Sequence, residues 1–218
     1  VFGCIGFLLC YFYCFTALFR PSMQRFPNSN ALYIIFSFMV LYVSVLLPFI
    51  LGSRYVFCDD DVTPGSDNWA CIISGICLYY GLNTAYTWFL LFHITITARI
   101  FMIQLPRMTP YVFFLIGFCS WTLISLIVGF CLGYNVYYPG FPSCTLEENA
   151  TFVYSTQIPA FYVISLISLV CCVAISIRLV KIKHKTRISW KVVLMKQARL
   201  FLYWAHFATY TAVFTIFF

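Results

Sequence analysis

Charge is what this sequence has least of. Asp, Glu, Lys and Arg make up 9% of its 218 residues, against about a quarter in an ordinary soluble domain. Only six residues are acidic, and none falls inside an apolar run. Proton and cation pumps build relays from ionisable groups near the membrane midplane. Here His93 and His206 are the only candidates, and neither has a carboxylate partner, so the sequence argues against a pump. Catalytic patterns are missing too: there is no His-Glu-x-x-His, no pair of aspartates in an apolar segment, no Gly-x-Ser-x-Gly and no phosphate-cradling glycine loop. Cys10 and Cys14 share a helix face and Cys171 and Cys172 adjoin, but no further ligands stand with them to complete a metal site. The sequence therefore predicts no enzyme, no metal and no cofactor. The first apolar run has no basic n-region and no small-residue cleavage site after it, so it reads as a membrane span rather than a signal peptide.

What the chain does have is apolar length. Hydrophobic residues make up 63%, aromatics 21%, and the mean hydropathy is +0.93. Runs close to the roughly 20 residues that cross the hydrocarbon core lie at 2–19, 31–52, 69–98, 110–133, 155–177 and 200–218. They are too long, and too poor in polar alternation, for porin strands, and only helices satisfy their own backbone in lipid. The expected fold is all-α, a polytopic membrane helical bundle without a soluble domain. Both ends run apolar, so the chain is expected to be a fragment.

The few charges sort by connection. Arg20 and Arg25 follow the first span, Arg99 and Arg107 the third, and eight Lys and Arg lie in 178–199 after the fifth. The alternate connections carry all six acids (Asp59, Asp60, Asp61, Asp67, Glu147 and Glu148), with Arg54 the single positive exception. The positive-inside rule makes the basic connections cytoplasmic and the N-terminal side extracellular, in a multi-pass protein of the cell membrane. Asn149-Ala150-Thr151, an acceptor pattern for N-glycosylation, falls on the acidic side, as do Cys58, Cys71 and Cys144, where oxidation permits disulfides. The basic segment faces the anionic inner leaflet and, as a second partner, an acidic protein surface rather than nucleic acid.

The third segment carries Asn83, Thr84 and Thr87 among aromatics, with Asn83 and Thr87 one turn apart on a shared face. Polar groups at this depth either bond a neighbouring helix or line a wet cavity. Tyr80, Asn83, Thr84 and Thr87 are therefore the candidate ligand cavity. Pro48 and Pro159 interrupt the second and fifth spans, and Ser125, Gly129 and Gly133 place a small-residue stripe on the fourth.

Several motifs carry a family resemblance: Arg25-Phe26-Pro27 after the first span, Cys71 followed by Tyr79-Tyr80-Gly81 and Trp88 in the third, and Leu194-Met195 with Phe201 at the start of the sixth. Together they resemble the seven-helix core of the Frizzled/Smoothened receptors. Where that family has two adjacent Trp, this chain has Thr87-Trp88, and Gln197 stands where the family starts its sixth helix with a basic switch residue. The resemblance implies a seven-helix receptor topology of the G protein-coupled type, with the seventh helix missing from this chain. It also implies a disulfide from Cys71 to Cys144 that ties the loop before the fifth helix to the head of the third. Cys58 would then bond a segment upstream. The implied function is to relay an extracellular protein or lipid ligand to a cytoplasmic G protein or scaffold, with Arg25, Arg99, Lys181, Lys183, Lys185, Lys196 and Arg199 as the candidate coupling residues. A cyclic-AMP-receptor-like or secretin/adhesion-like receptor shares this layout. A small-solute transporter or channel fragment is the alternative from another class.

Overall fold

The computed structural model describes residues 2–57, 69–119, 135–136, 145–146 and 151–185, together with 195 and 205. These form a helical bundle. The order is α1 (Phe2–Leu18), α2 (Pro21–Gln24), α3 (Ser29–Leu51), α4 (Ser53–Phe57), α5 (Trp69–Ile100), α6 (Thr109–Phe118) and α7 (Thr151–Lys185). Between α6 and α7, β1 (Asn135–Val136) and β2 (Thr145–Leu146) pair antiparallel, Asn135 opposite Leu146. Of the expected span 110–133, residues 120–133 lie outside the described residues, as does the expected span 200–218 apart from residue 205.

The bundle is built around α5, which packs most extensively on α3 and also on α7, α6 and α4, while α1 packs on α3. At 32 residues α5 is about 48 Å long, more than the hydrocarbon thickness. Two helical stretches, Ser29–Leu51 and Ile158–Ile182, are long and apolar enough to cross a membrane by composition. α5 itself is the more polar helix, and the reason is its position: half of its 32 residues are buried, so its faces meet protein rather than lipid and need not be uniformly apolar. The outer helices show the reverse. Leu9 and Phe12 of α1, Phe49 of α3, Leu115 of α6 and Leu166 of α7 are all exposed, an exterior that lipid tails solvate and water does not.

On α3 the buried residues Asn30, Ser37 and Ser44 recur every seven positions, a small polar stripe along one face. Ser37 and Ser44 donate to the carbonyls of Tyr33 (2.8 Å) and Leu41 (2.6 Å) within the same helix. That internal bonding leaves short side chains at the contact, and the two backbones close up. A Cβ on Gly81 of α5 would stand 2.6 Å from the Leu41 backbone nitrogen and 2.8 Å from its Cα. Backbone cannot yield as a side chain end can, so the α3–α5 contact requires glycine there.

The helix ends follow from local chemistry. Gly52, at φ 90°, ends α3 and turns the chain into the short α4. Val56 of α4 then clusters with Ala70 and Cys71 at the head of α5, with Leu47 packed against them. Helix α2 starts on Pro21, whose fixed φ suits a first helical position. At the other end of α5, Met102 adopts φ 57°. Its N–H bonds Arg99 at 3.1 Å and the Ile103 N–H bonds Ala98 at 2.8 Å, the six-to-one closure of a left-handed helix stop. α7 runs beyond its expected 155–177 to Lys185, carrying the first Lys residues of the basic segment out on continuous helix.

Two stability outcomes follow. Gly81→Ala should lower the melting temperature of the purified protein, at a cost of about 2 kcal/mol for overpacking; an unchanged melting curve would contradict the close approach. Met102→Gly, at a side chain 82% exposed, should raise stability by about 1 kcal/mol through relief of the left-handed backbone, or roughly 2–4 °C for a chain of this size.

Candidate functional site

The four residues expected to line a ligand cavity lie together on α5, with Asn83, Thr84 and Thr87 all buried. Their hydrogen bonds turn inward along their own helix. Asn83 Nδ2 donates to the Tyr79 carbonyl at 2.8 Å, Thr84 Oγ1 to Tyr80 at 2.7 Å and Thr87 Oγ1 to Asn83 at 2.9 Å. Bonding back to the i−4 carbonyl is how such groups are satisfied without reaching a neighbouring helix. Tyr80 alone reaches out, its hydroxyl 3.4 Å from the Phe118 carbonyl of α6. Neither of the two cavities described below is lined by these residues.

Beside them sits an aromatic cluster that the sequence did not single out. Trp88 is fully buried, with its ring centroid 4.4 Å from Tyr33 and 5.3 Å from Phe118. Phe114 meets Phe118 with the rings tilted and their centroids 5.0 Å apart, and a Cβ on Gly117 would collide with the indole. The available signal was weak: aromatics at 33, 36, 114 and 118 recur at helical spacing on two spans, but so do many others in a chain this aromatic. A cavity of about 620 Å³, almost wholly apolar, opens next to this cluster between α1, α3 and α6.

At the other feature of interest, helix ends converge. Asn30, near the start of α3, donates Nδ2–H to Thr95 Oγ1 in the last turns of α5 at 3.1 Å, and Thr95 donates on to the Leu91 carbonyl at 2.7 Å. Phe26, just before α3, meets Phe113 of α6 at 6.0 Å. Arg178 of α7 lies over the Phe101 ring at 5.7 Å, just past the end of α5. These contacts draw the Arg-bearing termini to one end of the bundle, which is the spatial counterpart of the charge sorting in the sequence. Arg25, Arg99 and Lys181 are exposed there. Lys183 and Lys185 lie on the last turn of α7, while Lys196 and Arg199 lie outside the described residues.

The connection between α1 and α3 is held by side chains rather than by ladders. Gln24 Nε2 donates to the last carbonyls of α1, Ala17 at 3.1 Å and Leu18 at 2.9 Å, and Asn28 Nδ2 donates to Ser22 at 3.0 Å. Against this braced turn opens a cavity of about 440 Å³, with Thr95 and Arg99 in its wall.

Among the described residues no group of His, Cys, Asp and Glu could hold a metal ion. All six acids lie outside the described residues, as do Cys58, Cys144 and Asn149. Cys71, fully buried at the head of α5, is disulfide-bonded. Its partner lies outside the described residues, since none of the other described cysteines is in a disulfide.

Residues 1–103 match the Frizzled/Smoothened family membrane region. The matched part runs from α1 through the end of α5 and contains Arg25-Phe26-Pro27, Cys71, Tyr79-Tyr80-Gly81 and Trp88, the motifs that carried the resemblance. The remaining motif, Leu194-Met195 with Phe201, falls beyond it. No curated protein matches the chain. The Frizzled-like match is to a receptor-like membrane family rather than an enzyme family. Within the matched part, the braced 19–28 turn holds Arg25-Phe26-Pro27, and Gly81 of Tyr79-Tyr80-Gly81 sits on the α3–α5 contact.

The Asn30–Thr95 bond links two helices at the end where the charges gather, and its contribution can be measured. A double-mutant cycle of Asn30→Ala and Thr95→Val, read by thermal unfolding in detergent micelles, should show a coupling of roughly 0.6–1.7 kcal/mol, as for buried polar pairs between membrane helices. Strictly additive effects would mean the pair contributes nothing beyond its separate packing.

Proposed function

We propose that the chain is the transmembrane core of a signalling receptor of Frizzled-like type, without catalysis of its own. The observation that carries this is the family match over residues 1–103, supported by the gathering of Arg-bearing helix ends at one end of the bundle. On the positive-inside rule that end is cytoplasmic and the chain's N-terminal side extracellular. Cys71 pairs with Cys144, tethering the loop before α7 to the head of α5; Cys58 bonds upstream sequence, and Asn149 carries a glycan. An extracellular protein or lipid ligand shifts an existing equilibrium between bundle states, and the cytoplasmic ends of α5, α7 and the following segment report the shift to a G protein or scaffold.

The geometry suits such a relay. α5 touches most of the other described helices, so a change at its disulfide-anchored head displaces contacts along its whole length. At its far end Arg178 of α7 reaches over Phe101, a contact between the two helix termini that bundle rearrangement would make or break. Asn83, Thr84 and Thr87, the deep polar groups of the third span on which the transporter alternative rests, bond within their own helix.

Coupling is testable without knowing the ligand. In the full-length protein expressed in cells, Lys181→Glu, Lys183→Glu and Lys185→Glu together should reduce basal association with G protein or scaffold, measured by resonance energy transfer, by about tenfold, while surface expression stays at the wild-type level. Unchanged association would remove the basic segment from the coupling surface.

A further inference from the structure

The cavity of about 440 Å³ at the basic end lies between α1, the braced 19–28 turn, the start of α3 and the last turns of α5. Its size falls in the range of small-ligand sites, about 300–1,000 Å³, and exceeds what one ion or water fills. Its wall combines two kinds of group. Tyr13, Asn28 and Arg99 offer hydrogen-bond donors, while Met23, Phe92 and Ile96 are apolar. Asn28 uses one N–H on the Ser22 carbonyl, which leaves the second for a ligand.

The sign of the ligand follows from charge. No acid occurs among the described residues, so Arg99 meets no carboxylate there. The C-terminal end of the α5 dipole favours a cation at this position but supplies no full counter-charge.

Location narrows the chemistry further. The cavity sits level with helix ends flanked by exposed Arg20 and Arg25, the depth at which lipid headgroups meet a membrane protein. An occupant there needs an anionic end for Arg99 and an apolar end for Phe92 and Ile96. We propose that this cavity binds the phosphate-bearing headgroup of an anionic phospholipid, with the Arg99 guanidinium on the phosphate and Tyr13 and Asn28 donating to its oxygens. Guanidinium pairs with phosphate through two parallel N–H bonds, a geometry that lysine does not reproduce. The site stands on the cavity and its charge, and it does not depend on the receptor role.

The test uses the purified chain in neutral detergent with three probes: dioctanoyl phosphatidic acid, dioctanoylglycerol, which lacks the phosphate, and inorganic phosphate. Native mass spectrometry and ligand-induced thermal shift read binding. Phosphatidic acid should bind saturably. Arg99→Gln should weaken it about tenfold or more, and Ala31→Trp, which fills the cavity, should abolish it. Lys181→Gln, a charge removed elsewhere on the same end, should leave binding unchanged. Arg99 is exposed at a helix end, so its variants should fold, and unaltered helicity and melting temperature without ligand would establish this. Three results would overturn the proposal: dioctanoylglycerol binding as tightly as phosphatidic acid, Lys181→Gln costing as much as Arg99→Gln, or inorganic phosphate matching the lipid's affinity. The last would mark a site for soluble phosphate instead.

Discussion

The rest of the bundle depends on how closely α3 can lie against α5. At Gly81 the Leu41 backbone comes within a distance that no side chain at that position would permit. In lipid there is no hydrophobic gain from bringing two apolar helices together, because acyl tails solvate them equally well. Association rests instead on van der Waals contact and hydrogen bonding across the seam, and both grow as backbones approach. The small stripe of Asn30, Ser37 and Ser44 on α3 answers Gly81 on α5, and the Asn30–Thr95 bond closes the same seam at its basic end. With these two helices set, α1 packs on α3, and α6 and α7 pack on α5.

The bilayer as solvent explains the second tier of organisation. An interior helix is freed from the need to be apolar, and α5 carries the polar residues Asn83, Thr84, Thr87, His93 and Thr95 in buried positions. The outward faces of the surrounding helices carry no such freedom and expose Leu, Phe and Val. Charge is expelled to the ends by its desolvation cost. Because the ends of α5, α7 and the connections beside α3 and α6 meet at one pole, the expelled charge collects into a single basic surface. The receptor proposal and the headgroup site both draw on that surface.

Composition and run length sufficed for the helical class, for the bounds of α1, α3 and α5 to within two residues of the runs 2–19, 31–52 and 69–98, and for the sorting of charge between connections. Those properties are one-dimensional: each helix satisfies its own backbone in lipid whatever its neighbours do. The short helices α2 and α4 were not foreseen, since four or five residues carry no periodicity and depend on Pro21, Gly52 and the packing of Val56. The polar residues of the third span were legible as buried. Which partners they take was not, because a Thr or Asn at membrane depth can bond its own helix or a neighbour with equal chemical fitness, and only the distance between helices decides.

The sequence by itself determined that this is a membrane bundle, which connections carry the positive charge, and which family its first 103 residues resemble. It did so because solvent, charge and motif act residue by residue along the chain. Only the tertiary structure decided that Asn83, Thr84 and Thr87 bond inward, that Trp88 sits in an aromatic cluster with Tyr33 and Phe118, and that Arg99 borders a cavity against the 19–28 turn. Each of these joins residues separated by a helix or more, and their meeting is set by the depth to which one helix can sink into another.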